Sequence, residues 1–432
     1  MMFIMKFINS IYLEFNHLFR HKGILRRIGI FFVRGPLFNF YNLTFCRVLI
    51  SSIKKLSIDG SKIDNSLNTT KDHINNAVNW ICTNQKLQPD DGVPATVSFC
   101  FGKIISSGSF PEVTGYIIKT LFDYSKIFNS GDVFESAIKA CEFELNFQNE
   151  KGWFPEGSVS TLKGPSVFNT GQIVHGLIRG FNETGDDKYL TSCIKACDWI
   201  IKVQRADGAW SNYNYRNLPR TYDSKVSESL LEVSKITDNK EYVQSAQRNL
   251  NYVLINQKFN GWFYNCDNTI ENNHAPLLHL IGYTIDGLLN CYQLTGEEMY
   301  YKASKISLEK LMHKFEITKK PLPERFFSNW SSNSTSICVT GLAQISLCWS
   351  NLFNINDDNR FLNAALKMND ILKSIQFNYG GPKIYGALPG SYPFWGDYSS
   401  YAINSWGVKY YIDALISEYL IKSKLIQNSN LK

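Results

Sequence analysis

The sequence predicts an all-α protein of six helical hairpins closed into a ring. Three observations carry that reading. First, a short turn rich in Gly, Asp and Asn recurs five times between stretches of helical periodicity, at residues 129–132, 184–187, 237–240, 295–298 and 356–359. Its period of roughly 55–60 residues is that of one helical hairpin. Second, out of phase with the turns, helices close on a Gln followed by a Gly-rich or aromatic loop, at Gln85, Gln148, Gln204, Gln257 and Gln376. The last interval is close to two periods, which places a degenerate copy at residues 313–327. Third, the apolar spacing between these marks is helical in twelve segments, and no comparable stretch alternates with a period of two.

Taken in order, residues 70–84 form a helix that ends on Gln85. Residues 112–128 start behind Pro111, which suits a first helical position, and stop at the first turn. Beyond it, residues 132–147 run to Gln148. The pairs 169–183 and 187–203, 223–236 and 240–256, 277–294 and 298–313, and 336–352 and 359–375 flank Gly185, Asp238, Gly296 and Asp357 respectively. Residues 401–422 form the last helix. Residues 1–66 read as a basic, amphipathic extension, 67–425 as the catalytic ring and 426–432 as a tail.

The phase of the two marks gives the ring a direction. All the short turns lie at one end, so all the Gln-led loops lie at the other. Helices starting near Glu112, Asn169, Asp223, Leu277, Ser336 and Tyr401 line the centre, and their first turns surround its mouth. Free N–H groups and positive dipole ends there suit an anionic ligand. This arrangement resembles the (α/α)6 toroid of polysaccharide lyases, glycoside hydrolases, uronate epimerases and the terpene-cyclase and prenyltransferase barrels. That fold hosts several chemistries, so function must be argued from the mouth.

Composition narrows the classes. The net charge is +7, yet residues 1–55 carry nine Lys or Arg against a single acid, Glu14, which leaves the ring close to neutral. A nucleic-acid enzyme would be basic around its site, so no nucleic-acid partner is expected. The ten Cys show no metal-type pairing, and no metal or other cofactor is expected. Their scatter points to a reducing compartment, and a cytoplasmic location follows. The apolar run at residues 28–33 is too short to cross a bilayer, and no secretory signal is evident. Basic residues interleaved with Phe, Leu and Ile fit either peripheral contact of residues 1–55 with the inner face of an anionic membrane or packing along the ring.

Four constellations fall at the mouth. Glu112 and Tyr116 sit at i and i+4 of one helix, where a carboxylate and a phenol converge. Asn169 and Gln172 offer amides for a carboxylate or hydroxyls, unless they form a capping box. Arg220 and Tyr222 stand in an aromatic loop, where Arg grips carboxylates in two-pronged fashion. His279, Tyr283 and Asp286 share a face of one inner helix, with His274 in the loop before it. Arg325 and Trp395 add cationic and aromatic surface, with Trp330, Asn404 and Trp406 nearby. Trp153, Trp210 and Trp262 recur at one repeat position and read as braces.

The inventory leads to a carbohydrate-active enzyme on an acidic, uronate-containing polysaccharide or lipid-linked glycan, in the making or remodelling of a surface polysaccharide. Proton abstraction at C5, as in a lyase or epimerase, needs a Tyr or His base and neutralisation of the carboxylate. Tyr222, His279, Tyr283 and Glu112 are the catalytic candidates, and Tyr116, Asn169, Gln172, Arg220, His274, Asp286, Arg325 and Trp395 the binding candidates. Asn and Gln leading into a helix, a Thr-Gly-Asp turn and a Tyr resemble glucuronyl C5-epimerases. One alternative is glycoside hydrolysis by two carboxylates drawn from Glu112, Asp91, Glu156 and Asp286. Another is isoprenoid chemistry, since residues 204–210 resemble the Gln and Trp repeat of triterpene cyclases. The required Asp-x-Asp-Asp run is incomplete, however, in Gln88-Pro89-Asp90-Asp91. A non-catalytic glycan-binding toroid is the last.

Overall fold

The computed structural model describes residues 33–39, 42–52, 56 and 66–430. All twelve predicted helices are present among them. After a short helical turn, Pro36–Asn39, and α1 (Leu43–Ser51), the ring comprises α2 (Leu67–Lys86), α3 (Pro111–Phe128), α4 (Gly131–Leu145), α5 (Val167–Thr184), α6 (Asp187–Lys202), α7 (Ser224–Thr237), α8 (Lys240–Ile255), α9 (Leu278–Thr295), α10 (Glu298–Thr318), α11 (Val339–Asn356), α12 (Asn359–Ile375) and α13 (Ser405–Asn430). The odd-numbered helices from α3 to α13 pack each on the next, and α13 packs on α3. They form the inner wall, and the even-numbered helices form the outer one. The fold is an all-α (α/α)6 toroid.

There are six hairpins but only five turns. The sixth hairpin pairs α13, near the C-terminus, with α2, near the N-terminus. Its closure is polar: Glu418 of α13 takes Lys373 and Lys422 at 2.7 Å each, and Thr70 of α2 and Asn369 of α12 at 2.9 Å each.

The recurring turn has one conformation. Asn129, Gly185, Asp238, Gly296 and Asp357 end their inner helices with φ between 52° and 75°, the left-handed region in which Gly, Asn and Asp are least strained. Asp186, Asn239 and Asp358 then cap the following outer helix by accepting the N–H of Lys188, Glu241 and Arg360.

The Gln mark is equally uniform. The amide of Gln204 donates to Gly208 O in its own loop and to Ser245 O of the next outer helix, both at 2.9 Å. Gln148 joins Gly152 O to Ser192 O, Gln257 joins Gly261 O to Ala303 O, and Gln376 joins Gly386 O to His73 O. Trp210 and Trp262 are buried and donate their indole N–H to Ile200 O and Phe326 O.

Two features depart from expectation. Short strands stand at the loop end: β1 (Thr96–Cys100), β2 (Lys103–Ser106) and β5 (Ala402–Asn404) form an antiparallel sheet in the order β2-β1-β5, and β3 (Ile337–Cys338) pairs with β4 (Ser391–Tyr392). Each is too short to show a period in sequence, and β5 comes to β1 from the far end of the chain. The last helix also runs to Asn430, past the boundary expected at 425.

Part of the basic extension packs on the loop end. Phe45, Val48 and Leu49 of α1 are fully buried, with Phe45 against Phe99 at 5.3 Å and Tyr401 at 5.9 Å. Tyr392 donates to Ser51 O at 3.0 Å. The apolar stretch at 28–33 lies mostly outside the described residues. Among those described, no helix is long and apolar enough to cross a membrane.

Candidate active site

The inner helices begin at the loop end, and five of them converge on a cavity of about 380 Å³. From α3 come Glu112, Val113 and Tyr116; from α5, Phe168 and Asn169, with Ser166 before it. The approach to α7 brings Tyr222, α9 brings His279, Leu280 and Tyr283, and α13 brings Trp406. Loops add Ala95, Phe110, Glu156, Tyr215 and Asn268. Six expected site residues meet here: Glu112, Tyr116, Asn169, Tyr222, His279 and Tyr283.

Two carboxylates face this cavity in unlike surroundings. Glu112 sits in the first turn of α3, enclosed by protein except toward the cavity. Loss of water, with the negative Glu156 as the second cause, pushes its pKa up to about 8. Glu156 lies in the loop after α4, with its side chain 32% exposed and Lys163 Nζ at 3.4 Å. Asn169 holds that loop: its Nδ2 donates to Pro155 O at 3.1 Å, and Ser166 donates to its Oδ1 at 3.0 Å. Ser166, rather than Asn169, caps α5.

His279 is buried, and burial lowers its pKa to about 4, a hydrogen bond to Gln344 opposing only in part. Its Nδ1 lies 2.9 Å from Gln344 Oε1. The ring is therefore neutral at pH 7. With the amide as placed, Nδ1 donates and Nε2 remains an acceptor. The ring packs on Tyr283 at 4.5 Å and on Tyr398 at 5.6 Å. Burial raises the phenols of Tyr116, Tyr222, Tyr283 and Tyr410, so they stay protonated. Trp406 is fixed by its indole N–H to Tyr398 Oη at 2.6 Å.

The remaining expected residues lie elsewhere. Arg220 is 1% exposed and turned inward, donating to Asn268 O at 3.0 Å while Tyr222 donates to Asn268 Oδ1 at 2.7 Å. Together they present Asn268 to the cavity. Arg325 binds Asp267 at 2.8 Å and Ala275 O at 2.9 Å, pinning the loop that leads into α9. His274 is exposed and leans on Phe327. Trp395 is buried in the core. Gln172 and Asp286 point to a second, polar cavity of about 370 Å³ at the short-turn end, with Lys119, Lys225, Glu228 and Lys409. In it Lys225 bridges Glu228 at 2.5 Å and Asp286 at 2.8 Å. For the first two the reason is helical geometry, since Gln172 and Asp286 lie one or two turns below the mouth; the two Arg side chains are taken up by the neighbouring loop that leads into α9, Arg220 by Asn268 O and Arg325 by the Asp267 carboxylate and Ala275 O. Of the alternative carboxylates, Asp91 and Asp286 do not line the mouth.

Sequence reasoning passed over Asn268 and Ser166. Asn268 was within reach, because it follows the Gln257 mark as Glu156 follows Gln148.

The mouth thus holds an acid, a carboxylate, a neutral imidazole, phenols and amides. Among the described residues that line it there is no Lys or Arg. No Cys lines it either. Burial holds the thiol of Cys266 up at about 12 and raises that of Cys338, on either side of α9.

Solved structures share this architecture. An unsaturated glucuronyl hydrolase specific for heparin is 13% identical with a TM-score of 0.65, over 83% of this chain and 99% of its own. Unsaturated glucuronyl hydrolase from Streptococcus agalactiae is 15% identical with a TM-score of 0.62, over 85% and 98%. Cellobiose 2-epimerase from Bacillus thermoamylovorans B4167 is 11% identical with a TM-score of 0.62, over 81% and 98%. At such identities the likeness is one of fold. No curated protein sequence matches the chain. Residues 71–317 match the family described as "Beta-L-arabinofuranosidase, GH127 catalytic domain". That match covers more than half of the chain and takes in every helix from α3 to α9 that lines the mouth, so the protein belongs to the GH127 β-L-arabinofuranosidase catalytic-domain family, a family of carbohydrate-active enzymes.

Proposed function

We propose that the protein is a glycoside hydrolase that cleaves a neutral glycoside, with Glu112 as the general acid and Glu156 as the partner carboxylate. The observation that carries this is the pair itself: two carboxylates on one cavity, one of them held protonated to about pH 8 beside the negative charge of the other. Carboxyls with environments pushed apart are what acid-assisted glycosidic cleavage needs. Glu112 gives its proton to the departing oxygen. Glu156 faces the developing positive charge at the anomeric carbon, as nucleophile or as base for water. The acceptor Nε2 of His279, the amide of Asn268 and the phenols of Tyr222 and Tyr283 bind sugar hydroxyls, and Trp406 offers a ring face. Neither Arg220 nor Arg325 reaches the mouth, which favours a neutral sugar over the uronate that the sequence suggested. The family description makes β-L-arabinofuranosides the first substrates to try.

A second reading keeps proton abstraction at C5, because the neutral His279 is a competent base. The Tyr candidates are poor bases, since burial raises their phenols.

The test is hydrolysis of an aryl β-L-arabinofuranoside and an aryl β-D-glucuronide by the wild type, Glu112→Gln and Glu156→Gln. On a substrate with a poor leaving group each variant loses about 10²–10⁴-fold in kcat. With a nitrophenolate leaving group Glu112→Gln recovers most of that loss and Glu156→Gln does not. Wild-type kcat/KM falls as pH rises through about 8, where Glu112 gives up its proton, and Glu112→Gln lacks that alkaline limb. Near wild-type activity in both variants on the poor leaving group would sink the assignment. A product with a new ultraviolet-absorbing C=C would replace it with elimination.

A further inference from the structure

The ring is hollow at both ends. At the short-turn end the inner helices enclose the second cavity, whose volume of about 370 Å³ nearly equals the 380 Å³ of the mouth. Gln293 and Asn354, near the turns at Gly296 and Asp357, are exposed, so this cavity opens to solvent there. At its inner end Tyr116 lines both cavities, while Tyr283 lines only the mouth and Tyr410 only the second cavity. The last two rings lie 5.7 Å apart, so a single layer of tyrosines parts the two spaces.

Gln172 points to a ligand. Its side chain is fully buried on the wall of the second cavity, and neither Oε1 nor Nε2 has a hydrogen-bond partner among the described residues. A buried amide left unanswered is costly, and a ligand that both donates and accepts would answer it. Charge selects the class of that ligand. Lys225 is paired with Glu228 and Asp286, Lys409 with Asp413 at 2.7 Å, Asp123 with Arg179 at 2.6 Å, and His175 with Glu232 at 2.5 Å. Burial opposes the charge of Lys119, but Glu232 and Glu228 more than offset it. With the ionic groups answered inside the protein, the cavity offers an ion little and a hydroxyl much, since Asn351 joins Gln172, Gln293 and Asn354 on its wall. We infer that this cavity is a second binding site, for a small neutral polyol the size of one sugar residue. Gln172 holds a hydroxyl at the inner end, and the amides of Asn351, Gln293 and Asn354 receive others at the entrance. The match to a sugar rests on the glycosidase reading of the mouth, through the equal volumes.

The experiment is titration of the full chain with free L-arabinose and D-glucose, followed by calorimetry and by saturation-transfer NMR, in the wild type, Gln172→Leu, Asn351→Trp and the mouth variant Trp406→Ala. Binding of at least one of the sugars is expected to survive Trp406→Ala and to weaken about tenfold in Gln172→Leu, which removes the inner hydrogen bonds. Asn351→Trp, which fills the entrance, weakens it as well. Without sugar Gln172→Leu keeps or raises the melting temperature, because an orphaned buried amide is gone. Absence of sugar binding overturns the inference, as does binding that Trp406→Ala abolishes and Gln172→Leu and Asn351→Trp leave unchanged. Stabilisation by Zn²⁺ and not by sugar, lost in His175→Ala, would assign the cavity instead to a cation on His175, Glu228 and Glu232, whose ligand atoms lie within 4.8 Å of one another. Binding is read without turnover, so an inactive wild type would sink the hydrolase assignment alone.

Discussion

Glu144 shows what an unanswered charge does inside the ring. It is fully buried in α4, both carboxylate oxygens lack a partner, and burial raises its pKa well above the usual carboxylate range. The sign follows from linkage: a raised pKa in the folded state gives stability that is complete below the unfolded value and is lost as pH rises through the folded one. Up to about 1.4 kcal/mol disappears per pH unit in that window. Glu144→Gln removes this component, so its melting temperature relative to wild type should climb between pH 5 and pH 8. A constant difference across that range would mean the carboxyl is answered in solution. The contrast with Glu112 is instructive, because there the same physics is aimed at a cavity. Glu112, His279 and Tyr283 were legible in the sequence because the two repeats fix which turn of which helix meets the mouth. Arg220 and Arg325 were not, since no local pattern shows whether a long side chain turns to a ligand or to a carbonyl behind it. Glu156 was legible only as one of four carboxylates, and its selection needed the path of its loop.

At the scale of the element, the Gln-led loop is a repeated joint. Its glycine works because nothing else fits: Gly208 has φ of 85°, and a Cβ there would stand 2.2 Å from Arg248 O. Gly208→Ala should destabilise by about 3 kcal/mol or more, from the left-handed backbone and the clash together. Thermal or denaturant unfolding measures it, and a loss below about 1 kcal/mol would mean the loop shifts freely. Helices bounded by such a joint and by a left-handed turn were readable to within about four residues, since both are strong local signals, whereas α10 and α13, each lacking one of the two marks, run on past their expected ends at 313 and 422 to Thr318 and Asn430. The strands were not, because Thr96–Cys100 is stabilised by Ala402–Asn404, a partner that local sequence cannot supply.

For the whole molecule, the decisive contact is the one that closes the ring. Burial alone would raise the Glu418 pKa, but Lys373 and Lys422 more than offset it and hold the group below its ordinary value. The stability it contributes is present above the unfolded carboxylate range and is lost as pH falls through the folded pKa. Glu418→Gln removes the carboxylate that two buried lysines share, leaving Lys373 the longer pairing with Asp370 at 3.3 Å, and should cost about 3 kcal/mol at pH 7, with the gap to wild type narrowing in acid. Equal melting temperatures at pH 7 would show that the closure is held by apolar packing alone. The toroid itself was legible from the count of turns, whereas the identity of the sixth pair was not, since its two helices carry no shared turn.

That split pair also sets a timetable. Every other hairpin can form as soon as its second helix is synthesised, but α2 must wait for α13, which starts roughly 340 residues later. During that interval the growing chain is an open arc whose first helix lacks its inner neighbour. Loop-closure entropy rises only slowly with length, so the wait costs less in equilibrium than in time.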